Sequence, residues 1–114
     1  MITLYGIKNC DTMKKALAWL NKKGIEAKIH DYRTDGLSLD FLQQAENQFG
    51  WQNLLNKRST TWRNLDEQSK KTLQKSTALE LLLANPTLIK RPLILQDDKA
   101  LLGFDEKQYE QEFN

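Results

Sequence analysis

The chain has 114 residues, a formal net charge of +2 and an apolar fraction of 39%, which fit one ordinary globular domain with a single core. So small a net charge gives no electrostatic case for a nucleic-acid partner, and no window approaches the ~20 apolar residues that a membrane span needs. The single cysteine cannot form an internal disulfide, and the sequence opens without a basic and apolar leader. We therefore expect a cytoplasmic protein with neither nucleic acid nor membrane as a partner.

The first third of the chain predicts a strand, a helix and a second strand. Residues 2–5 are apolar or β-branched and end at Gly6. Apolar residues at helical spacing then predict a helix over about residues 11–23, closed by Gly24. Residues 26–32 are typical of a second strand. Two strands joined by one helix imply a right-handed crossover, so we expect the strands to be parallel.

The middle of the chain predicts helices. Ser38 is a plausible cap for a helix that Gly50 closes, and a short helical turn follows at residues 51–56. Residues 57–65, K-R-S-T-T-W-R-N-L, lack a helical period and are expected to form a loop rich in basic and hydroxyl groups. Helices are predicted near residues 66–73 and 77–84, the second capped by Ser76 and stopped by Asn85-Pro86.

The last third of the chain predicts a hairpin and a helix. Residues 93–95 and 100–102 are apolar and flank Asp97-Asp98, which is typical of an antiparallel hairpin. Asp105 then caps a final helix. The order β-α-β, helices, β-β-α predicts an α/β fold: a thioredoxin-like mixed four-stranded sheet with an inserted helical segment.

The position of the only cysteine indicates chemistry. Cys10 lies where the first turn becomes the first helix. The first N–H groups of a helix have no intrahelical partner and carry partial positive charge, so they favour a thiolate. A lone cysteine is more often a small buried apolar residue, but this position favours a nucleophile.

Three motifs, taken together and in order, point to one family. They are Y-G-I-K-N-C-D-T-M-K-K-A, K-R-S-T-T-W-R and I-K-R-P-L. The sequence resembles the arsenate reductase (ArsC)/Spx family over essentially its whole length, and most closely the YffB-like branch described as glutathione-dependent thiol reductases. The resemblance implies one domain over residues 1–114, with a thioredoxin-like core at about 1–37 and 86–114 and a helical insertion at about 38–85.

The resemblance also implies a site. Cys10 would be the reactive thiol, Arg58 and Arg91 would face it, and Pro92 would follow a cis peptide bond. The two arginines would stabilise the thiolate and bind an anionic part of the substrate.

Several residues near this site have two possible roles. Lys8 and Arg63 could add positive charge or face water, and Lys57 is similar to them. The Thr12 hydroxyl could donate to the sulfur or cap the helix. Asp11 would oppose a thiolate, yet a carboxylate is also favourable in a first helical turn.

Departures from the family pattern narrow the activity. Met13 occupies the second position of the C-x-x-C pair of the Spx branch, so a dithiol switch is excluded. Gly6 stands where arsenate reductases of the family carry a histidine, and residues 101–104 lack their third arginine. Both changes argue against oxyanion reduction, since arsenate needs several charge-assisted donors.

These observations predict a monomeric, glutathione-dependent thiol-disulfide reductase. The second thiol must come from outside the chain, and glutathione is the expected co-substrate, with no cofactor bound. A disulfide-containing or glutathionylated molecule is the expected substrate. Arsenate reduction and a non-enzymatic, Spx-like module that docks on RNA polymerase remain the alternatives. One cysteine and His30 do not make a metal site, and Trp62 could either wall the pocket or simply pack.

Overall fold

The computed structural model describes residues 1–113, which form two compact units. The sheet unit comprises Met1–Asp35 and the chain from Arg91 onward, and the helical unit comprises Gly36–Lys90. The sequence placed the corresponding boundaries near residues 37 and 86.

A mixed four-stranded sheet forms the first unit. Its strands are β1 (Ile2–Gly6), β2 (Ala27–Asp31), β3 (Leu93–Gln96) and β4 (Lys99–Leu102), and its helices are α1 (Asp11–Lys22) and α7 (Glu106–Glu112). The strand order is β2-β1-β3-β4. β1 and β2 are parallel, whereas β3 is antiparallel to both β1 and β4. The predicted α/β class and mixed four-stranded sheet are confirmed.

Aromatic rings and aliphatic side chains fill the core of the sheet unit. Tyr109 of α7 is fully buried, and its ring meets the edges or faces of Trp19 at 5.5 Å, Phe104 at 4.9 Å and Phe113 at 5.6 Å between centroids. Its hydroxyl donates to the carbonyl of Gly103 at 3.3 Å. The remaining buried residues of this cluster lie on α1 and the strands: Leu4, Met13, Ala16, Leu20, Ile94 and Leu101.

The helical unit contains α2 (Leu39–Phe49), α3 (Trp51–Leu54), α4 (Thr60–Asn64), α5 (Glu67–Lys71), α6 (Lys75–Ala84) and a 3₁₀ turn at Pro86–Leu88. The buried faces of α2 and α6 supply Leu42, Ala45, Ala78, Leu79 and Leu82. Backbone hydrogen bonds from Asn56 to Leu88 and from Lys90 to Leu54 join the segment after α3 to the C-terminal end of the unit.

Two local predictions in this unit are wrong. Residues 57–65 are not a loop throughout, because Ser59 accepts a hydrogen bond from the amide of Trp62 and starts α4. Ser76 does not cap α6. That helix begins at Lys75 with Gln74 as its N-cap, and the Gln74 amide donates to the Thr77 hydroxyl at 2.9 Å. The predicted caps Ser38 and Asp105 are confirmed.

The helices of this chain are short. The longest of those described, α1, has 12 residues. None of the helices within residues 1–113 is long and apolar enough to cross a membrane.

Replacing Tyr109 tests the core. Tyr109→Ala removes a fully buried ring from three aromatic neighbours, so we expect the free energy of unfolding to fall by about 3–5 kcal/mol. Tyr109→Phe keeps the ring and loses only the hydrogen bond to Gly103, which costs about 1 kcal/mol. Urea unfolding measures both, and exposed Lys107→Ala on the same helix should stay within about 0.5 kcal/mol. Equal losses for the three variants would contradict this core.

Candidate active site

Cys10 is the N-cap residue of α1. Its backbone is extended, with φ −115° and ψ 131°, and its carbonyl accepts from the amide of Lys14 at 3.1 Å, so the first helical bond starts at this residue. The thiol is half-buried and free. An N-cap side chain faces the amides of the second and third helical residues, which are Thr12 and Met13 here.

Opposing forces act on the Cys10 sulfur. Partial burial raises the pKa of the Cys10 thiol, because it penalises the charged form. A hydrogen bond from the Arg91 side chain, the amides of Met13 and Thr12, and the charge of Arg91 act in the other direction. The influences that lower the pKa outweigh burial, so the pKa of Cys10 lies below its ordinary value and the sulfur is a better nucleophile at neutral pH.

Thr12 acts on the sulfur through its backbone N–H. Asp11 lies exposed in the first turn of α1, where its carboxylate faces the positive end of the helix dipole.

Arg91 reaches the sulfur from the start of β3. The Arg91–Pro92 peptide bond is cis, at the position that the family resemblance implied. The carbonyl of Pro92 accepts from the amide of Gly103 at 2.8 Å, which ties this segment to the end of β4. Arg91 is partly buried, and Leu93 after it pairs with Tyr5 of β1.

Gly6 lets Arg91 and α1 come close to β1. A Cβ atom on Gly6 would lie 2.6 Å from Sδ of Met13 and 3.0 Å from Cβ of Arg91. Met13 is fully buried in the sheet-unit core. A side chain at position 6 would therefore force Met13 or Arg91 to shift in this arrangement.

Asp31 is a site residue that the sequence did not reveal. Asp31 is the last residue of β2, is 7% exposed and pairs with Gly6 in the sheet. Its Oδ2 accepts from the Lys8 amide at 2.9 Å and its Oδ1 accepts from the Arg33 amide at 2.8 Å. The Lys8 hydrogen bond is the main reason why the pKa of Asp31 lies below its usual value. Asp31 thus fixes the turn that leads to Cys10.

Lys8 contributes to this geometry through its backbone, while its side chain is exposed. The only signal for Asp31 in the sequence is a carboxylate at the end of β2, the strand that pairs with the strand before Cys10. The hydrogen bond spans 23 residues, so local patterns do not show it.

The other basic candidates lie in the helical unit. Arg58 is exposed, and its amide donates to Oδ1 of Asn56 at 3.2 Å. Arg63 is exposed in the last turn of α4. A role for either arginine at Cys10 stays a prediction.

His30 lies on β2, with its ring centroid 5.0 Å from that of Tyr5. Within residues 1–113, no group of three histidine, cysteine or carboxylate side chains is placed to hold a metal ion.

A half-buried thiol at a helix N-terminus, beside a mixed four-stranded sheet and an arginine before a cis proline, defines a thioredoxin-like thiol site. The ArsC family model matches residues 5–112, so the chain belongs to the ArsC family.

Sequence relatives cover most of the chain. An uncharacterized protein of Haemophilus influenzae is 70% identical over 113 residues, which is 99% of each chain. The global transcriptional regulator Spx of Streptococcus mutans is 31% identical over 112 residues, which is 95% of this chain and 80% of Spx.

Solved structures share the fold. A YffB protein is 41% identical and superposes with a TM-score of 0.89 over 97% of each chain. An arsenate reductase (ArsC) related protein from Brucella melitensis is 44% identical, with a TM-score of 0.81 over 98% of this chain and 93% of its own. Both agree with the thioredoxin-like fold predicted from the element order.

Replacing Gly6 tests the close approach of Arg91. Gly6→Ala forces Met13 or Arg91 to move, so we expect about 1–3 kcal/mol of destabilisation and a higher pKa of Cys10. Urea unfolding and the pH dependence of Cys10 alkylation measure the two effects. Gly24→Ala is the control: it meets open space but has φ of +75°, so it destabilises without changing the pKa of Cys10. An unchanged Cys10 pKa in Gly6→Ala would contradict the proposed steric role.

Replacing Asp31 tests the turn before Cys10. Asp31→Asn cannot accept both amide hydrogen bonds, so we expect a loss of about 1–3 kcal/mol at pH 7. The folded pKa of Asp31 is depressed, so the wild-type advantage is full above the ordinary aspartate pKa of about 3.9 and shrinks as pH falls through the lower folded pKa.

Thermal unfolding between acid and neutral pH measures this difference. Asp98→Asn is the matched control, because that side chain is 91% exposed and should show almost no effect. A stability difference for Asp31→Asn that grows toward acid pH would have the wrong sign.

Proposed function

We propose that this protein is a glutathione-dependent thiol-disulfide reductase with Cys10 as its nucleophile. One observation carries the proposal: Cys10 is the N-cap of α1, where the Arg91 side chain and two helix amides lower the pKa of its thiol despite partial burial. A lower pKa raises the fraction of thiolate at neutral pH, and the thiolate is the form that attacks disulfides.

The reaction needs two exchanges. The Cys10 thiolate attacks one sulfur of a substrate disulfide, the S–S bond breaks, and the second sulfur leaves as a thiolate that takes a proton from water. A mixed disulfide on Cys10 remains. A glutathione thiolate attacks the substrate sulfur of this mixed disulfide. A disulfide between glutathione and the substrate forms, and Cys10 leaves as a thiolate. Glutathione supplies the reducing electrons, because the chain has no second cysteine.

Arg91 has a role in both exchanges. Its side chain favours the Cys10 thiolate before attack and again when Cys10 leaves the mixed disulfide. Arg58, with Arg63 and Lys8 as weaker contributors, is proposed to bind carboxylates of glutathione through charge. The Thr12 amide supports the thiolate at the helix start.

Two other functions are the alternatives to the reductase. Relatives at 31% identity are named global transcriptional regulators, which favours a binding module as the second candidate. Arsenate reduction is less favoured, because Gly6 has no room for a side chain and residues 101–104 contain no arginine.

Replacing Arg91 tests the reductase proposal. We expect wild-type Cys10 to alkylate with an apparent pKa below that of free cysteine and to form a mixed disulfide with oxidised glutathione, seen by mass spectrometry. Arg91→Ala should raise that pKa and slow alkylation at pH 7 roughly 10-fold or more, because it removes a hydrogen bond to a charged group worth about 1.5–3 kcal/mol. Arg91→Lys should lie between the two.

Lys28→Ala is the matched control. Lys28 is an exposed cation on β2 that pairs with Thr3, away from the Cys10 end of the strand, so alkylation should not change. An ordinary Cys10 pKa in the wild type would refute the catalytic proposal. A Cys10→Ser protein that retains its full effect in the cell would instead favour the binding module.

A further inference from the structure

The helical unit contains an open cavity of about 470 Å³ that the proposed reductase does not use. Trp51, Leu55 of the segment after α3, Trp62 and Leu73 form its apolar walls. This volume is within the range of small-molecule sites, which are typically apolar with a few placed polar groups.

The rim of this cavity is basic. Lys57, Lys70 and Lys71 line it together with one carboxylate, that of Glu67. In the part of the chain that the structure describes, Lys57 and Lys71 have no carboxylate within ion-pair distance. Three lysines against one glutamate leave a net positive field along this rim.

Two of these lysines converge on one ring. The Nζ atoms of Lys57 and Lys70 lie 5.9 and 5.3 Å from the centroid of Trp62. The Lys70 side chain is only 18% exposed, and its ion pair is with Glu67 at 3.5 Å, a side chain that is 77% exposed. Both ammonium groups therefore lie near the Trp62 ring, and the exposed Glu67 carboxylate offsets only part of their charge.

We infer that this cavity binds a mononucleotide, with the base against the apolar walls and the phosphate at the basic rim, near Lys57 and Lys70. Aromatic side chains accept any base by stacking, worth about 1–3 kcal/mol per base, and lysines bind phosphate as point charges. The excess of two positive charges on the rim matches a phosphate dianion better than a single carboxylate. The size suits one nucleotide.

The same chain carries a comparison pair. Lys23 lies 5.5 Å from the centroid of Trp19 in the sheet unit, but it is ion-paired with Glu110 at 3.0 Å. If a lysine above a tryptophan were enough to bind a nucleotide, Trp19 would respond as well. Selective binding in the cavity requires a response at Trp51 and Trp62 and none at Trp19.

The test follows the three indole N–H signals of the ¹⁵N-labelled protein during titration with adenosine 5′-monophosphate. We expect saturable shifts for Trp51 and Trp62 and none for Trp19. Adenosine alone and inorganic phosphate alone should each bind more weakly than the nucleotide. Lys70→Gln should weaken binding at least about 10-fold, because a charge-assisted contact to phosphate is lost.

Lys75→Gln is the matched control, since Lys75 lies in the same unit, is ion-paired with Glu46 and does not line the cavity. Its affinity should equal that of the wild type, and full backbone spectra establish that both variants are folded. The inference is overturned by any of three results. These are no saturable shift in the millimolar range, equal shifts at Trp19, or a response to an acidic peptide without a response to the nucleotide.

Discussion

The hydrogen bond from the Arg91 side chain is the largest of the influences that lower the pKa of the Cys10 thiol. Burial raises that pKa, and the two helix amides counter burial with partial charges only. Arg91 adds both a directed donor and a full positive charge. Much of the sheet unit can be understood from this requirement, because the arginine and the helix start must meet at one end of β1.

Two features bring them together. The absent side chain at Gly6 allows Arg91 and Met13 to approach β1. Asp31 holds the turn before Cys10 through two amides, and its own backbone is tied to Asp35. Neither group has a part in the proposed exchanges; both position Cys10 and Arg91. Met13 also fills, as a fully buried core residue, the place where a second cysteine would lie, so any resolving thiol has to approach from outside.

Much of this could be predicted from the sequence where the signal is local. The turn before Cys10, the helix after it and the hairpin around Asp97 follow from spacing and turn residues. The helix start at Ser59 was missed because five residues are too few to show a period, and Gln74 was missed because its cap depends on a backbone bond to Thr77. In the helical unit, capping hydrogen bonds determine where the short helices begin more than the hydrophobic pattern does.

Long-range contacts were beyond such reasoning. The bond between Asp31 and Lys8 joins two elements, and the contact between Arg91 and Cys10 was expected only through resemblance to a family. The cavity of the helical unit is similar: from the sequence, Trp62 could wall the pocket of the thiol site or simply pack, and only the fold shows two lysines near its ring. The spacing of residues in the sequence does not predict which distant charged side chains come together in the fold.

Arg91 lies 81 residues after Cys10, so a ribosome has synthesised most of the chain before the arginine exists. Until the third strand pairs with the first, the sulfur lacks its strongest stabilising group, and the nascent cysteine behaves as an ordinary thiol. Chemical reactivity is thereby coupled to the completion of folding. The rate at which Cys10 is alkylated is therefore expected to report how much of the population has reached the native state.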